Sequence, residues 1–145
     1  MAYPAPEPGP VIRYAFLWPE DAVAGREEGD KDRPRAVVLT RKDENRGMIV
    51  TVLPVTHSPP RVASLAVEIP LATKRRLGLD DERSWIIVSE LNRFVWPGPD
   101  LRMRVPTDSA SIAYGELPSA LFQKVLDALE RALVARLTRS VTRTE

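Results

Sequence analysis

The chain has 145 residues, 43% of them hydrophobic and 28% charged, a composition typical of one soluble globular domain. Lys and Arg number 21 against 20 Asp and Glu, so the net charge does not indicate a nucleic-acid binder. The absence of cysteine excludes disulfides, thiolate ligands and a cysteine nucleophile, and the single histidine argues against a zinc site built from protein ligands. No apolar run approaches the roughly 20 residues that span a bilayer, and the first residues lack a signal peptide's basic start. We therefore expect a cytoplasmic protein with no membrane association, metal or other cofactor.

The first half of the chain predicts an arm, three strands and a long charged loop. Residues 1–10 contain four prolines and predict a flexible arm. The apolar run over 11–18 predicts a first strand, and the charged residues over 19–34 predict a loop. Two β-branched runs, over 35–41 and 48–54, predict a second and a third strand, and the polar turn between them indicates a hairpin.

The second half alternates predicted strands with two helices. Residues 63–69 predict a fourth strand with one apolar face, and residues 70–77 predict a short helix that begins at a proline and stops at a glycine. The stretch 85–96 predicts a buried strand. Apolar residues at helical spacing over 118–137 predict a long helix that docks on the sheet. The last residues, 139–145, predict a basic, frayed tail.

Together these elements predict one α+β, mainly β domain over residues 11–138. Its expected architecture is a small barrel, with a short helix after strand four and a long C-terminal helix.

The stretch 32–40 suggests where a site would form. Arg33 and Pro34 come directly before a strand, and because proline cannot donate to a strand ladder, Arg33 is expected at the strand's mouth. The next strand ends in Thr56 and His57. If the two strands pair as a hairpin, a cation, a hydroxyl and an imidazole converge at the same end of the sheet.

Three blocks of sequence resemble the MazF/PemK (Kid-like) toxins of bacterial type II toxin–antitoxin systems, and more narrowly their PemK-like branch. Residues 25–39 are similar to that family's "G-x-E…RP-x-x-V-L" segment, and residues 50–56 to its strand ending in "P-(I/L)-T". Residues 67–93 are similar to "V-x-I…G-L…S-x-(V/I)-x-x-(D/E)-(Q/N)-x-R". The blocks occur in family order.

The resemblance implies an SH3-like (MazF/CcdB-type) barrel that forms a homodimer and binds single-stranded RNA. It also implies metal-independent, sequence-selective endoribonuclease activity on mRNA, which inhibits growth, and neutralisation by a cognate antitoxin protein. On the matching positions, Arg33 corresponds to the family's catalytic arginine and Thr56 to its catalytic threonine or serine.

The chemistry of RNA cleavage suits these residues. An arginine fork stabilises the charge of the phosphorane, which assigns Arg33 an electrostatic role. Thr56 can hydrogen-bond a non-bridging oxygen or orient the attacking hydroxyl, or else bond a nearby backbone group at the start of a loop. His57 is a candidate catalytic acid or base because histidine takes up and releases protons near neutral pH. The alternative for His57 is an exposed loop residue without a role.

Five further residues are candidates for substrate binding. The resemblance matches Arg93 to the arginine of the third block, where it would contact phosphate, and Phe94 and Trp96 could stack on bases. The alternative for both aromatic residues is a place in the core or a dimer interface. Arg75 belongs to a basic cluster, Lys74, Arg75 and Arg76, that could contact further phosphates of the RNA or simply be solvated at the end of a helix. Glu28 lies in the charged loop over 19–34.

One departure from the family pattern leaves other functions open. Several family members carry an aspartate shortly after the third-block arginine, as in "R-T-x-D", whereas here aromatic residues follow Arg93. An acid or base role for that aspartate does not transfer to this chain. A non-catalytic member of the same fold remains an alternative, either a CcdB-like gyrase poison or a degenerate toxin that only binds its antitoxin.

Overall fold

The sheet is organised on strand β3 (Gly47–Thr56), in a computed structural model that describes residues 7–15, 32–43, 45, 47–97, 101 and 113–142. Along one side β3 pairs antiparallel with β2 (Asp32–Asp43). Its other side is shared, because β6 (Glu90–Trp96) pairs with the first half and β5 (Trp85–Ile87) with the last two residues. Two different neighbours along one edge bend the sheet, which curls into a half-barrel.

The remaining strands extend this sheet in several directions. β1 (Pro10–Ala15) lies between β2 and β7 (Ala113–Glu116), and β4 (Ala66–Glu68) pairs with β5 at the opposite edge. β8 (Arg139–Thr142) pairs parallel with β6. The predicted α+β, mainly β class is confirmed.

Two α-helices and one short 3₁₀ turn (Ala63–Leu65) complete the described part of the chain. Helix α1 (Leu71–Arg76) directly follows Pro70, and helix α2 (Ser119–Val134) directly follows Pro118. Both prolines are N-cap residues: their carbonyls accept the first helical hydrogen bonds, from Lys74 and Phe122, and the N–H that proline lacks has no role at this position. Among the described residues, no helix is long and apolar enough to cross a membrane.

Several sequence predictions are wrong about local structure. The single strand predicted over 85–96 is two strands, β5 and β6, which pair with different parts of β3, and β2 begins at Asp32, inside the predicted loop. Residues 63–65 form the 3₁₀ turn rather than the start of a strand, so β4 is only three residues long. Residues 139–142 form β8 rather than a frayed tail, because the backbone N–H of Arg139 donates to Ser89 O (2.8 Å) and Val141 is buried. The predicted arm ends earlier, since Gly9 O accepts the backbone N–H of Leu117.

The sheet buries residues on both faces near its centre. One core cluster lies between the sheet and α2 and includes Leu53 and Val55 of β3. A second cluster on the opposite face includes Val50 and Val52 of the same strand. Successive strand residues point to opposite faces, so a strand buried on both sides requires a continuous apolar run, which β3 has.

Candidate active site

The hairpin brings the two residues matched to catalytic positions to one end of the sheet. β2 and β3 pair through Arg35 and Pro54, with the register continuing into the hairpin. Arg33 lies two residues before Arg35, and Thr56 lies two residues after Pro54. Both therefore come off the same end of the β2–β3 ladder, as the hairpin prediction required. The backbone of Arg33 also pairs with Tyr14 of β1, which fixes this end of β2 from its other side.

Thr56 makes the local bond that the sequence left as an alternative. Its Oγ1 accepts the backbone N–H of Ser58 at 3.1 Å. This bond turns the chain out of β3 at the residue where the loop begins. A hydroxyl that accepts one hydrogen bond keeps its own proton for donation, so Thr56 retains a donor.

His57 contacts an acidic turn that consists of Asp80, Asp81 and Glu82. Its Nε2 lies 2.8 Å from Asp80 Oδ2 and 3.5 Å from Glu82 Oε2. The imidazole and both carboxylates are exposed. The ligating atoms of these three residues all lie within 4.8 Å of one another, which makes them the group of described residues suited to hold a metal ion.

Lys74 anchors that acidic turn from inside the protein. Its side chain is only 2% exposed, and its ammonium donates to Asp80 Oδ1, to the backbone carbonyl of Glu82 and to Ser84 Oγ (2.6 Å). The three donors of the ammonium therefore have three acceptors, as a buried charge requires. The backbone N–H of Glu82 also donates to Asp80 Oδ1 at 3.1 Å, so the turn is fixed at several points.

The charge state of Asp80 follows from these contacts. The Lys74 ammonium holds the pKa of the Asp80 carboxyl below its ordinary value. Hydrogen bonds from His57 and from the backbone of Glu82 act in the same direction, while partial burial opposes them. Asp80 is therefore ionised at neutral pH and accepts a hydrogen bond from His57.

Four polar residues of this network, His57, Lys74, Asp80 and Ser84, line one cavity of about 410 Å³. Its apolar wall comes from residues of four different segments, and its polar wall from the network described above. The lining residues are Pro34, Val55, His57, Lys74, Gly78, Leu79, Asp80, Ser84 and Tyr114. A concave site with apolar walls and a few fixed polar groups is the usual form of a small-molecule or nucleotide site.

The candidate substrate residues of β6 lie elsewhere. Arg93 is exposed and pairs through its backbone with Thr51, five residues before Thr56 on β3, which is about 16 Å along a strand. Trp96 lies farther still, opposite Met48, and is half-buried. Neither residue reaches the cavity.

Phe94 occupies the core. It is 2% exposed and stacks on Tyr14, with ring centroids 4.6 Å apart and planes at 20°. The sequence-based prediction that Phe94 stacks on a base is therefore wrong, and the alternative of a core residue is correct. Buried aromatic pairs of this kind stabilise the fold rather than a ligand.

The other two substrate candidates have different outcomes. Arg75 is exposed on α1, and its Nε lies 3.5 Å from Asp81, so it does not line the cavity. Glu28 lies outside the described residues. The backbone of Arg33 lies in β2, opposite Tyr14 of β1.

Sequence reasoning missed the network behind His57. The sequence predicts Lys74, like its neighbours Arg75 and Arg76, as a solvated or phosphate-binding cation, whereas Lys74 is buried. The spacing contains a usable signal, because Lys74 lies three residues before Leu77 on one helical face, and both residues are buried. A lysine on an apolar face three residues before a buried leucine predicts a buried ammonium that needs acceptors nearby.

No protein-family model matches the chain, and no curated protein matches it either. The resemblance to the MazF/PemK toxins accordingly stays a prediction.

Proposed function

We propose that the protein is a metal-independent endoribonuclease of the MazF/PemK type, which cleaves single-stranded RNA at the cavity beside His57. The observation that carries the proposal is the hydrogen bond between His57 and the ionised Asp80, at the end of the β2–β3 ladder from which Arg33 and Thr56 also come. A cavity of about 410 Å³ beside this pair is large enough for one nucleoside.

His57 acts as the general base in this proposal. In the neutral ring, Nε2–H donates to Asp80, which leaves the lone pair of Nδ1 free to accept a proton. Asp80 fixes the tautomer and stabilises the imidazolium that forms. Lys74 is a positioning residue, because it holds Asp80 and the backbone of Glu82 at the same time.

The reaction proceeds by displacement at phosphorus. His57 takes the proton of the ribose 2′-hydroxyl, the 2′-oxygen forms a bond to the adjacent phosphorus, and the bond from phosphorus to the 5′-oxygen breaks. The leaving 5′-oxygen takes a proton from water, which gives a 2′,3′-cyclic phosphate and a 5′-hydroxyl end. Arg33 stabilises the extra charge of the phosphorane, and the Thr56 hydroxyl donates to a non-bridging oxygen.

The cavity also suits an unpaired base. Pro34, Val55, Leu79 and Tyr114 form apolar walls against which the faces of a base can pack. A base can enter such a cavity only when it is not stacked in a duplex, which favours single-stranded RNA as the substrate.

The finer features of the MazF/PemK resemblance belong to the same proposal. They are an SH3-like barrel, a homodimer, a cognate antitoxin protein and a cytoplasmic, growth-inhibiting role. The curled, mainly β sheet with a helix against one core cluster is compatible with that barrel.

A non-catalytic, protein-binding member of the same fold is the second candidate. The observation that favours it is the position of Arg93, which does not converge with Thr56 on one phosphate. Together with the missing aspartate after Arg93, this separation fits a CcdB-like gyrase poison or a degenerate toxin that only binds its antitoxin.

Cleavage of a long, structure-poor RNA in EDTA tests the proposal. We expect discrete cuts ending in 2′,3′-cyclic phosphate, with cleavage reduced about 10²–10³-fold in Arg33→Ala and in His57→Asn. Thr56→Ser should retain more activity than Thr56→Val, which lacks the hydroxyl.

Arg93→Ala is the matched control, because it removes an exposed arginine about 16 Å from the site along β3. Its cleavage should stay within a few-fold of wild type. Uncut RNA with folded, antitoxin-free wild-type protein would refute the ribonuclease proposal and favour the protein-binding candidate.

A further inference from the structure

His57, Asp80 and Glu82 are spaced like the ligands of one metal ion. His57 Nε2 is 2.8 Å from Asp80 Oδ2 and 3.5 Å from Glu82 Oε2. Two atoms that each bind zinc at 2.0–2.2 Å lie about 2.8–3.6 Å apart, the shorter value for octahedral and the longer for tetrahedral angles. The 3.5 Å separation matches a tetrahedral site, whereas the 2.8 Å separation of His57 and Asp80 is that of a hydrogen bond and would lengthen by about 0.5–0.8 Å if an ion replaced the shared proton. The three ligand atoms all lie within 4.8 Å of one another. A small rotation of the exposed Glu82 side chain would complete the set.

Lys74 orients Asp80 and Glu82 from the interior of the protein. Its buried ammonium bonds Asp80 Oδ1, which turns Oδ2 of the same carboxylate towards His57. It also bonds the backbone carbonyl of Glu82 and so fixes the second acidic residue of the turn. A hydrogen bond to the non-ligating oxygen of a carboxylate is the usual outer contact that orients a metal ligand.

The local charge favours a cation. Two carboxylates face one ammonium, so the cluster is negative when His57 is neutral. The neighbouring arginines are directed at other acids, because Arg75 pairs with Asp81 at 3.5 Å and Arg83 bonds both oxygens of Glu68 at 2.8 Å. The three ligand side chains are 46%, 50% and 73% exposed, so an ion can reach them directly from solvent.

We propose that His57, Asp80 and Glu82 bind one Zn²⁺ ion, with water in the remaining position. One imidazole nitrogen and two carboxylate oxygens suit zinc, whereas Mg²⁺ prefers oxygen ligands only and keeps most of its water. A single histidine and no cysteine disfavour a zinc site only where those residue types supply most of the ligands, and here two carboxylates replace them.

The binding goes beyond the ribonuclease proposal and does not depend on it. If both hold, zinc is an inhibitor. An ion on Nε2 leaves the ring proton on Nδ1, so the imidazole can no longer accept the proton of a 2′-hydroxyl.

The chain's single histidine makes the test direct. Untagged full-length protein is titrated with ZnCl₂ by calorimetry, and the C–H proton signals of the one imidazole are followed by NMR. We expect one zinc per chain and a shift of the His57 signals that saturates at the same ratio. His57→Asn should abolish the binding. Glu82→Gln should weaken it by more than the roughly 10–100-fold that loss of an outer contact costs.

Asp81→Asn is the matched control, because it removes a carboxylate from the same turn that is outside the cluster. Its zinc affinity should match that of wild type, and circular dichroism checks that each variant is folded. The proposal is wrong if zinc does not bind, if its binding leaves the imidazole signals unchanged, or if Asp81→Asn and Glu82→Gln weaken it equally. Because binding is read without RNA, these outcomes are separate from any failure of cleavage.

Discussion

Lys74 and Asp80 form an ion pair whose two members lie in different surroundings. The Lys74 side chain is 2% exposed, whereas that of Asp80 is 50% exposed. The ammonium has exchanged water for three protein acceptors, and the carboxylate remains half in solvent. Removing one member therefore does not cost the same as removing the other.

We expect Asp80→Ala to destabilise the protein more than Lys74→Met. The first change leaves a buried ammonium with one acceptor fewer and should lower the free energy of unfolding by about 2–3 kcal/mol. The second leaves a carboxylate that water can solvate, and Ser84 Oγ still donates to the Glu82 carbonyl at 3.4 Å. Because methionine fills the lysine's space, the expected cost is about 1 kcal/mol. Urea unfolding at pH 7 measures both values.

Asp81→Ala provides the reference for a surface pair and should change the free energy of unfolding by less than about 0.5 kcal/mol. An equal or larger loss for Lys74→Met than for Asp80→Ala would contradict the asymmetry.

The stability of the protein should depend on pH through the same carboxylate. The pKa of Asp80 is lowered in the folded protein, mainly by its hydrogen bond with Lys74, from an ordinary value of about 3.8. The ion pair's contribution is therefore fully present above that pH and is lost as the pH falls through the lower, folded-state pKa. We expect the difference in unfolding free energy between wild type and Asp80→Asn to be largest at neutral pH and to shrink below about pH 4.

Glu68→Gln is a useful comparison for this pH series. The pKa of Glu68 is also lowered, by Arg83, but that pair lies at the surface, where solvent screens it. Its variant should follow the wild-type curve closely. A gap between wild type and Asp80→Asn that stays constant down to pH 2 would contradict the role of this carboxyl.

The sequence predicts those parts of the fold that depend on residues close together in the chain. The β2–β3 hairpin follows from two β-branched runs and a polar turn, which are neighbours in the chain. The pairing of β8 with β6 joins residues about 50 apart, and the Arg139–Thr142 segment has one buried residue. Nothing within that short basic segment indicates a partner.

The candidate site shows the same contrast between interactions that are local in sequence and interactions that are not. The sequence predicts Arg33, Thr56 and His57 at one end of the sheet, because strand pairing alone determines that geometry. Lys74 and Asp80 were missed because their role arises when α1 and the turn after it close on the end of β3, a contact that strand periodicity does not describe.

We expect Gly115→Ala to destabilise the protein more than Gly78→Ala. Both glycines have positive φ, +141° and +73°, so an added methyl group strains the backbone at both positions. At Gly115 the new Cβ would also lie 2.8 Å from Leu77 Cδ2 in the core, whereas at Gly78 it meets no atom within 4 Å. Strain alone should cost about 1 kcal/mol at Gly78, and the clash should add about 1–3 kcal/mol at Gly115. Thermal and urea unfolding of the two variants provide the comparison.

Leu77→Ala combined with Gly115→Ala tests the cause. The shorter side chain removes the atom that the new methyl group meets, so the combined loss should be smaller than the sum of the two single losses. Additive losses would show that the clash with Leu77 does not cause the destabilisation by Gly115→Ala.

The last prediction separates a core aromatic residue from an RNA-stacking one. Phe94 is buried against Tyr14, so Phe94→Ala should lower the free energy of unfolding by about 3–5 kcal/mol. Phe94→Leu keeps most of the apolar volume and should cost about 1–1.5 kcal/mol. Because the Phe94 side chain does not reach solvent, Phe94→Leu should bind single-stranded RNA as tightly as wild type at a temperature where both are folded.

Val95→Ala is the control from the same strand, since it removes a half-buried side chain beside Phe94. Fluorescence anisotropy with a labelled RNA measures affinity, and urea unfolding measures stability. If Phe94→Leu weakened RNA binding about tenfold while its stability stayed within about 0.5 kcal/mol of wild type, the ring would have to be contacting RNA after a rearrangement of the core. Loss of stability with unchanged RNA affinity is the outcome that follows from the stacked, buried pair, because the ring's interactions are all made within the protein.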